Sequence, residues 1–108
     1  MKRLVDFLTQ EDVKGKSLSE SLLFKTLQVD SRQVQENDLF LAIPSLSNKS
    51  IEHNIFEAIQ RGASIVLVQK ETVLGNELLE LIEVKKAAIF EIENSRLMAS
   101  SLANQLFS

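Results

Sequence analysis

A single α/β domain, layered around a mainly parallel sheet flanked by helices, is what the order of patterns in this chain predicts. Residues 39–43 and 64–68 are short, almost wholly apolar runs of the kind found in strands covered on both faces. Between and after them, apolar residues recur at helical spacing, so strands and helices alternate. The length of 108 residues suffices for one core and is too small for two.

Element by element, Leu4, Val5 and Leu8 recur at helical spacing and predict a first helix over residues 2–10, closed by Gln10-Glu11-Asp12. Lys14-Gly15-Lys16 reads as a turn, and Ser17 with Glu20 has capping-box spacing for a brief helical turn through Leu22 and Leu23. Residues 24–29 alternate, Leu27 and Val29 against Thr26 and Gln28, as in a half-buried strand ending at Asp30-Ser31. The next strand, over residues 39–43, is closed by Pro44, which has no N–H for a ladder. A polar loop over residues 45–50 leads into a helix starting between Ser50 and Asn54, with Ile55, Ala58 and Ile59 on or near one face and Gly62 as its left-handed end. Residues 64–68 then complete a strand–helix–strand unit of the usual right-handed sense. Asn76 caps a further helix bearing Leu78, Leu81 and Ile82, with Glu77 at its positive end and Lys85 and Lys86 at its negative end. Residues 87–92 form one more strand. A last helix starts at Asn94 or Ser95, with Ala99, Ala103 and Leu106 on one face and Met98 and Leu102 together on another.

Composition removes several classes of function. The apolar runs are far shorter than the ~20 residues of a membrane helix, and the basic start Met1-Lys2-Arg3 lacks a signal-peptide core behind it. A cytoplasmic protein is expected. The chain has no cysteine and one histidine, which leaves no thiolate or imidazole cluster for a metal. A net charge of −3 with scattered lysines and arginines disfavours nucleic-acid binding.

Reactive groups are sparse. His53 reads as a partly exposed helix-start residue rather than a base, because no partner nucleophile lies near it in sequence. Glu77, Glu80 and Glu83 read as a solvated helix face. Gly15, Gly62 and Gly75 are isolated, so no phosphate-cradling loop is present and this chain alone is not expected to hydrolyse ATP. Asp30-Ser31-Arg32 remains, at the end of a strand, where α/β folds hold ligands. Asp30 can accept from backbone N–H groups, Ser31 can donate to a phosphate or a uracil carbonyl, and Arg32 can pair with anionic oxygens. The same residues also suit a plain turn with Arg32 paired to Asp38 or Asp30. If the two strands are parallel neighbours, the loop over residues 45–50 falls near this motif, and the two frame a shallow polar site.

Taken in order, Asp30-Ser31-Arg32-x-Val34, Asp38-Leu39-Phe40-x-Ala42-Ile43-Pro44, Ala58-Ile59 and Gly62-Ala63 before an apolar strand resemble the N-terminal domain of the Mur ligases. These enzymes add amino acids to the peptidoglycan precursor. The likeness is greatest to the MurE type, which adds meso-diaminopimelate or L-lysine to UDP-N-acetylmuramoyl-L-alanyl-D-glutamate, and next to the MurF type, which adds D-Ala-D-Ala. Asn94-Ser95-Arg96 and the Leu102-to-Phe107 helix resemble the segment preceding that family's ATP-binding domain. Where the family usually has glycine before Asp-Leu-Phe this chain has Asn37, which tolerates the same left-handed turn.

The resemblance implies that residues 1–108 are a UDP-substrate-binding domain without the ATP-binding and C-terminal domains of its parent. No catalytic residue, metal or cofactor is then expected here; ATP and Mg2+ serve the full-length ligase, and the isolated domain is inactive. The implied partners are UDP-N-acetylmuramoyl-dipeptide and the two other ligase domains, in cytoplasmic cell-wall synthesis supporting cell shape and division. The residues implied to contact the UDP moiety are Ser31, Val29, Leu46, Ser47 and Asn48, with Arg32 beside them. The competing class is a stand-alone α/β protein-interaction module.

Overall fold

A computed structural model describes residues 1–14, 17–44 and 50–107. Its main sheet has five strands. β4 (Leu27–Gln28), β5 (Leu39–Leu41), β6 (Ile65–Gln69) and β7 (Ala88–Ile92) lie side by side in chain order and run parallel. β2 (Val13–Lys14) adds antiparallel to the far edge of β7. Separately, β1 (Lys2–Arg3) and β3 (Leu23–Phe24) pair as a two-stranded antiparallel ribbon. The helices are α1 (Ile51–Gln60), α2 (Asn76–Lys85) and α3 (Ser95–Phe107). The mainly parallel α/β sheet expected from sequence is therefore present.

Strand alternation divides the core into two faces. Leu39, Leu41, Ile65, Leu67, Phe90 and Ile92 point to one side, where Leu4, Leu8, Phe24 and Leu102 of α3 cover them. Phe40, Ala42, Val66 and Val68 point to the other, against Ile55, Ala58 and Ile59 of α1 and Leu78 of α2. Because the central strands are buried on both sides, they read as unbroken apolar runs. The helices after β5 and β6 lie on one face and the helix after β7 on the other, giving three layers.

The helix ends follow local chemistry. Ser50 Oγ accepts from His53 N at 3.1 Å and starts α1. At its other end Gly62 N donates to Ile59 O and Ala63 N to Ala58 O, both at 3.0 Å, the paired bonds of a Schellman ending. The Glu52 carboxylate of α1 reaches across to Gly75 N, the cap of α2, so the two helices are joined at one end. Asn37 has φ +70°, the left-handed turn that its side chain tolerates.

The N-terminal third departs from expectation. No α-helix spans residues 2–10; Lys2 and Arg3 enter the ribbon, Leu4–Asp6 form a 3₁₀ turn, and Leu4 N donates to Leu22 O at 2.9 Å. A lone helix of that length is marginal in water, and the bond to Leu22 holds a segment in which Leu4 and Leu8 are still buried, as helical spacing anticipated. The reciprocal capping box falls on Thr9 and Asp12 rather than on Ser17 and Glu20. Leu23 consequently belongs to a strand rather than a helical turn, while Gly15 and Lys16 of the expected turn lie outside the described residues. The single strand expected over residues 24–29 is two short strands in different sheets. Val29 lies beyond the second, 49% exposed, and does not share the burial of Leu27.

Candidate functional site

All four parallel strands point the same way, so the segments leaving β4, β5, β6 and β7 meet at one edge. Two exits diverge there, α2 following β6 on one face and α3 following β7 on the other. Such divergence opens a crevice in many α/β proteins. Here the two exits are bridged: Gln69 Oε1 accepts from Ser95 N at 3.1 Å and caps α3 from the end of β6. Lys70 and Glu93 close the rim as an exposed ion pair at 2.6 Å. Ser95 itself is buried, and its hydroxyl has no hydrogen-bond partner among the described residues.

The other half of the edge carries the motif singled out in sequence. β4 and β5 are parallel neighbours, the arrangement on which the shared site depends. Asp30 caps the 3₁₀ turn Ser31–Gln33, accepting from Arg32 N at 2.9 Å. Arg32 folds back on that carboxylate with Nε to Oδ1 at 3.1 Å and Nη2 to Oδ2 at 2.9 Å. Of the two pairings open to Arg32, the structure has Asp30. Asp38 instead accepts from Gln35 N at 2.8 Å and holds the turn that leads into β5.

Ser31 is the buried member of the motif, 6% exposed. Its hydroxyl donates to Glu57 Oε1 on α1 at 2.7 Å, and Arg61 approaches the other oxygen of that carboxylate at 3.9 Å. Val34, just past the turn, packs with Ile55, Ala58 and Ile59 and so seats the turn on α1. Two acids and two arginines thus surround one serine. Sequence reasoning missed Glu57, because a glutamate four residues before an arginine on a helix carries only the signal of a solvated pair.

Val29 and Arg32 are exposed beside Ser31, whereas Leu46, Ser47 and Asn48 lie outside the described residues. Arg96 Nη2 reaches Pro44 O at 3.4 Å, tying the start of α3 to the segment leaving β5. His53 is exposed in an open groove between α1 and α2 that Ser50, Glu52, Phe56, Gln60 and Glu77 also line, and the Ser50 hydroxyl there is engaged as the cap of α1, accepting from His53 N. Glu77, Glu80 and Glu83 are exposed, as expected of a solvated face.

The Asp30 carboxyl is held below its ordinary value, first by the side-chain hydrogen bond from Arg32 and then by the backbone bond from the same residue. A depressed carboxylate stabilises the folded chain above its unfolded pKa, and that contribution is lost as pH falls through the folded value. Arg32→Ala should raise the Asp30 pKa toward the usual carboxylate range, read from its carboxyl carbon shift against pH. The effect on stability at neutral pH should be small, because the pair is exposed.

Among the described residues no helix is long and apolar enough to cross a membrane. None of their histidine and carboxylate side chains gather into a group able to hold a metal ion.

Fold and edge together define a class: a mainly parallel α/β domain whose strand-end turn is braced by a helix. Comparison with known proteins narrows this. The chain is 40% identical over 58 residues to the UDP-N-acetylmuramoyl-L-alanyl-D-glutamate–2,6-diaminopimelate ligase of Coxiella burnetii, covering 54% of the chain and 12% of that protein. It is 41% identical over 68 residues to the ligase of the same name from Pseudomonas syringae, covering 61% of the chain and 14% of that protein. The Haemophilus ducreyi ligase of that name is 38% identical over 72 residues, 67% of the chain and 14% of its own length. The chain's match thus spans about a seventh or less of each relative. No family model matches. The resemblance to a Mur ligase of the MurE type, read from the ordered motifs, is borne out by these relatives.

Proposed function

We propose that this chain is the UDP-binding substrate domain of a peptidoglycan-precursor ligase. The parent enzyme would join an amino acid to UDP-N-acetylmuramoyl-L-alanyl-D-glutamate at the expense of ATP, in the cytoplasm. The relatives are named for 2,6-diaminopimelate, which favours that amino acid over L-lysine, and favours the MurE reaction over the MurF one.

The observation that carries this reading is the parallel pairing of β4 with β5, which sets the Asp30-Ser31-Arg32 turn and the segment leaving β5 at the same edge of the sheet. ATP and Mg2+ do not fit the residues here. The glycines are isolated, and no acidic cluster suited to a metal occurs among the described residues. Those groups belong, on this reading, to the rest of the full-length parent, whose central domain binds ATP. This domain's share is orientation. Holding the nucleotide end fixed restricts the distant carboxylate and spends remote binding energy on alignment.

Titration of the ¹⁵N-labelled chain with UDP-N-acetylmuramoyl-L-alanyl-D-glutamate should shift the amides of Ser31, Arg32, Leu46, Ser47 and Asn48. Binding should be weak, since the neighbouring domains are missing. Shifts confined to the α1–α2 groove around His53, or none at millimolar ligand, would reject the assignment.

A further inference from the structure

The asparagines of this chain are followed by Asp38, Lys49, Ile55, Glu77, Ser95 and Gln105. An asparagine side chain is open to attack by the backbone nitrogen of the residue after it. The smaller that next residue, the less its side chain shields the nitrogen, and serine is the smallest of these. Asn94 is also exposed, so the water that completes the reaction is at hand. In that reaction the Ser95 nitrogen bonds to Asn94 Cγ and gives up its proton, and Nδ2 leaves as ammonia carrying it. Water then opens the resulting ring to aspartate or to isoaspartate, in which the main chain runs through Cγ and is one carbon longer.

Both reacting atoms are held in this structure. Ser95 N donates to Gln69 Oε1 at 3.1 Å. Asn94 Oδ1 accepts from Leu97 N at 3.1 Å and its main-chain oxygen from Met98 N at 3.0 Å, the bonds that start α3. Ring closure requires the Ser95 proton to leave Gln69 and the Asn94 side chain to turn off Leu97 N, which brings Cγ onto the nitrogen. We infer that Asn94-Ser95 is a deamidation site that the fold keeps closed, with Gln69 as the residue that holds it. Gln69 comes from the end of β6, 26 residues away, so the closure is made by tertiary structure and not by local sequence. The two products differ in consequence. Aspartate still caps α3, being as good an N-cap as asparagine. Isoaspartate shifts the start of the helix by its extra carbon and works against both ties to the strand ends, Ser95 N to Gln69 and Arg96 to Pro44 O.

The test incubates the chain at mildly alkaline pH and reads aspartate and isoaspartate at each asparagine by peptide mapping and mass spectrometry. Unfolded in concentrated urea, the chain should convert Asn94 faster than any other asparagine. Folded, it should convert Asn94 at least about tenfold more slowly than when unfolded. Gln69→Ala should speed the folded rate about tenfold, the equivalent of one lost hydrogen bond. Gln69→Glu, whose carboxylate still accepts from Ser95 N, should stay within about twofold of wild type. Low urea separates local release from a loss of overall stability. A local opening exposes little surface, so below the unfolding transition the folded rate should not change with urea, whereas reaction through the unfolded chain climbs with it. A Gln69→Ala rate equal to that of wild type, a wild-type rate that climbs with low urea, or an unfolded chain that spares Asn94 each overturns the inference.

Discussion

Replacing Gly62 by alanine should destabilise the chain by about 2–4 kcal/mol, a large share of the ~5–15 kcal/mol that holds a domain of this size together. Gly62 has φ +111°, a conformation that L side chains rarely adopt, and an added Cβ would lie 2.7 Å from Glu36 Cα. The neighbour is backbone, and it cannot retreat: Asn37 N donates to Gly62 O at 2.8 Å and binds the two segments together. Strain and overlap therefore add. Gly75 supplies the control. Its φ is −74°, and the Cβ of an alanine there would meet Glu52 Oε2, the far end of a flexible side chain. Gly75→Ala should cost much less, and urea denaturation followed by circular dichroism compares the two directly. Equal losses would mean that the close approach of residues 36 and 62 is not what requires glycine.

That contrast also shows what the sequence disclosed. Gly62 was legible as a left-handed helix end because it follows the last apolar residue of α1 and precedes a strand. Its contact with Glu36 was not, since no local pattern records which segments pass within van der Waals distance. From residue 39 onward the elements were readable, because β5, β6 and β7 fall in short, mainly apolar runs bounded by caps or turns. Before that, two-residue strands carry no periodicity at all. The apolar spacing of Leu4 and Leu8 correctly marked both as buried but could not tell a helix from a bent segment hydrogen-bonded to Leu22. For the candidate site, the motif Asp30-Ser31-Arg32 was visible and the Asp30–Arg32 pair was among the alternatives. Glu57, 26 residues away, was not.

Phe40→Ala should cost about 3–5 kcal/mol, as truncation of a buried aromatic leaves a cavity as well as lost burial. Phe40 is 1% exposed in β5 and belongs to the cluster that seats α1 on the sheet. Phe90 of β7, 2% exposed, belongs to the cluster on the opposite face, with α3 and the N-terminal segment. Phe90→Ala should therefore lose a similar amount of stability. The two variants should diverge at the edge. A cavity under α1 lets that helix settle, and Glu57 moves with it, so Phe40→Ala should perturb the Ser31 amide and weaken the proposed UDP binding at temperatures where the chain is still folded. Phe90→Ala leaves α1 and the Val34 contact in place, and its Ser31 amide should stay where it is. Amide spectra of both variants, recorded at matched distance below their own melting temperatures, read this out. If both displaced Ser31 equally, the turn would be responding to overall stability rather than to the seat of α1, and the helix would lose its role in shaping the site.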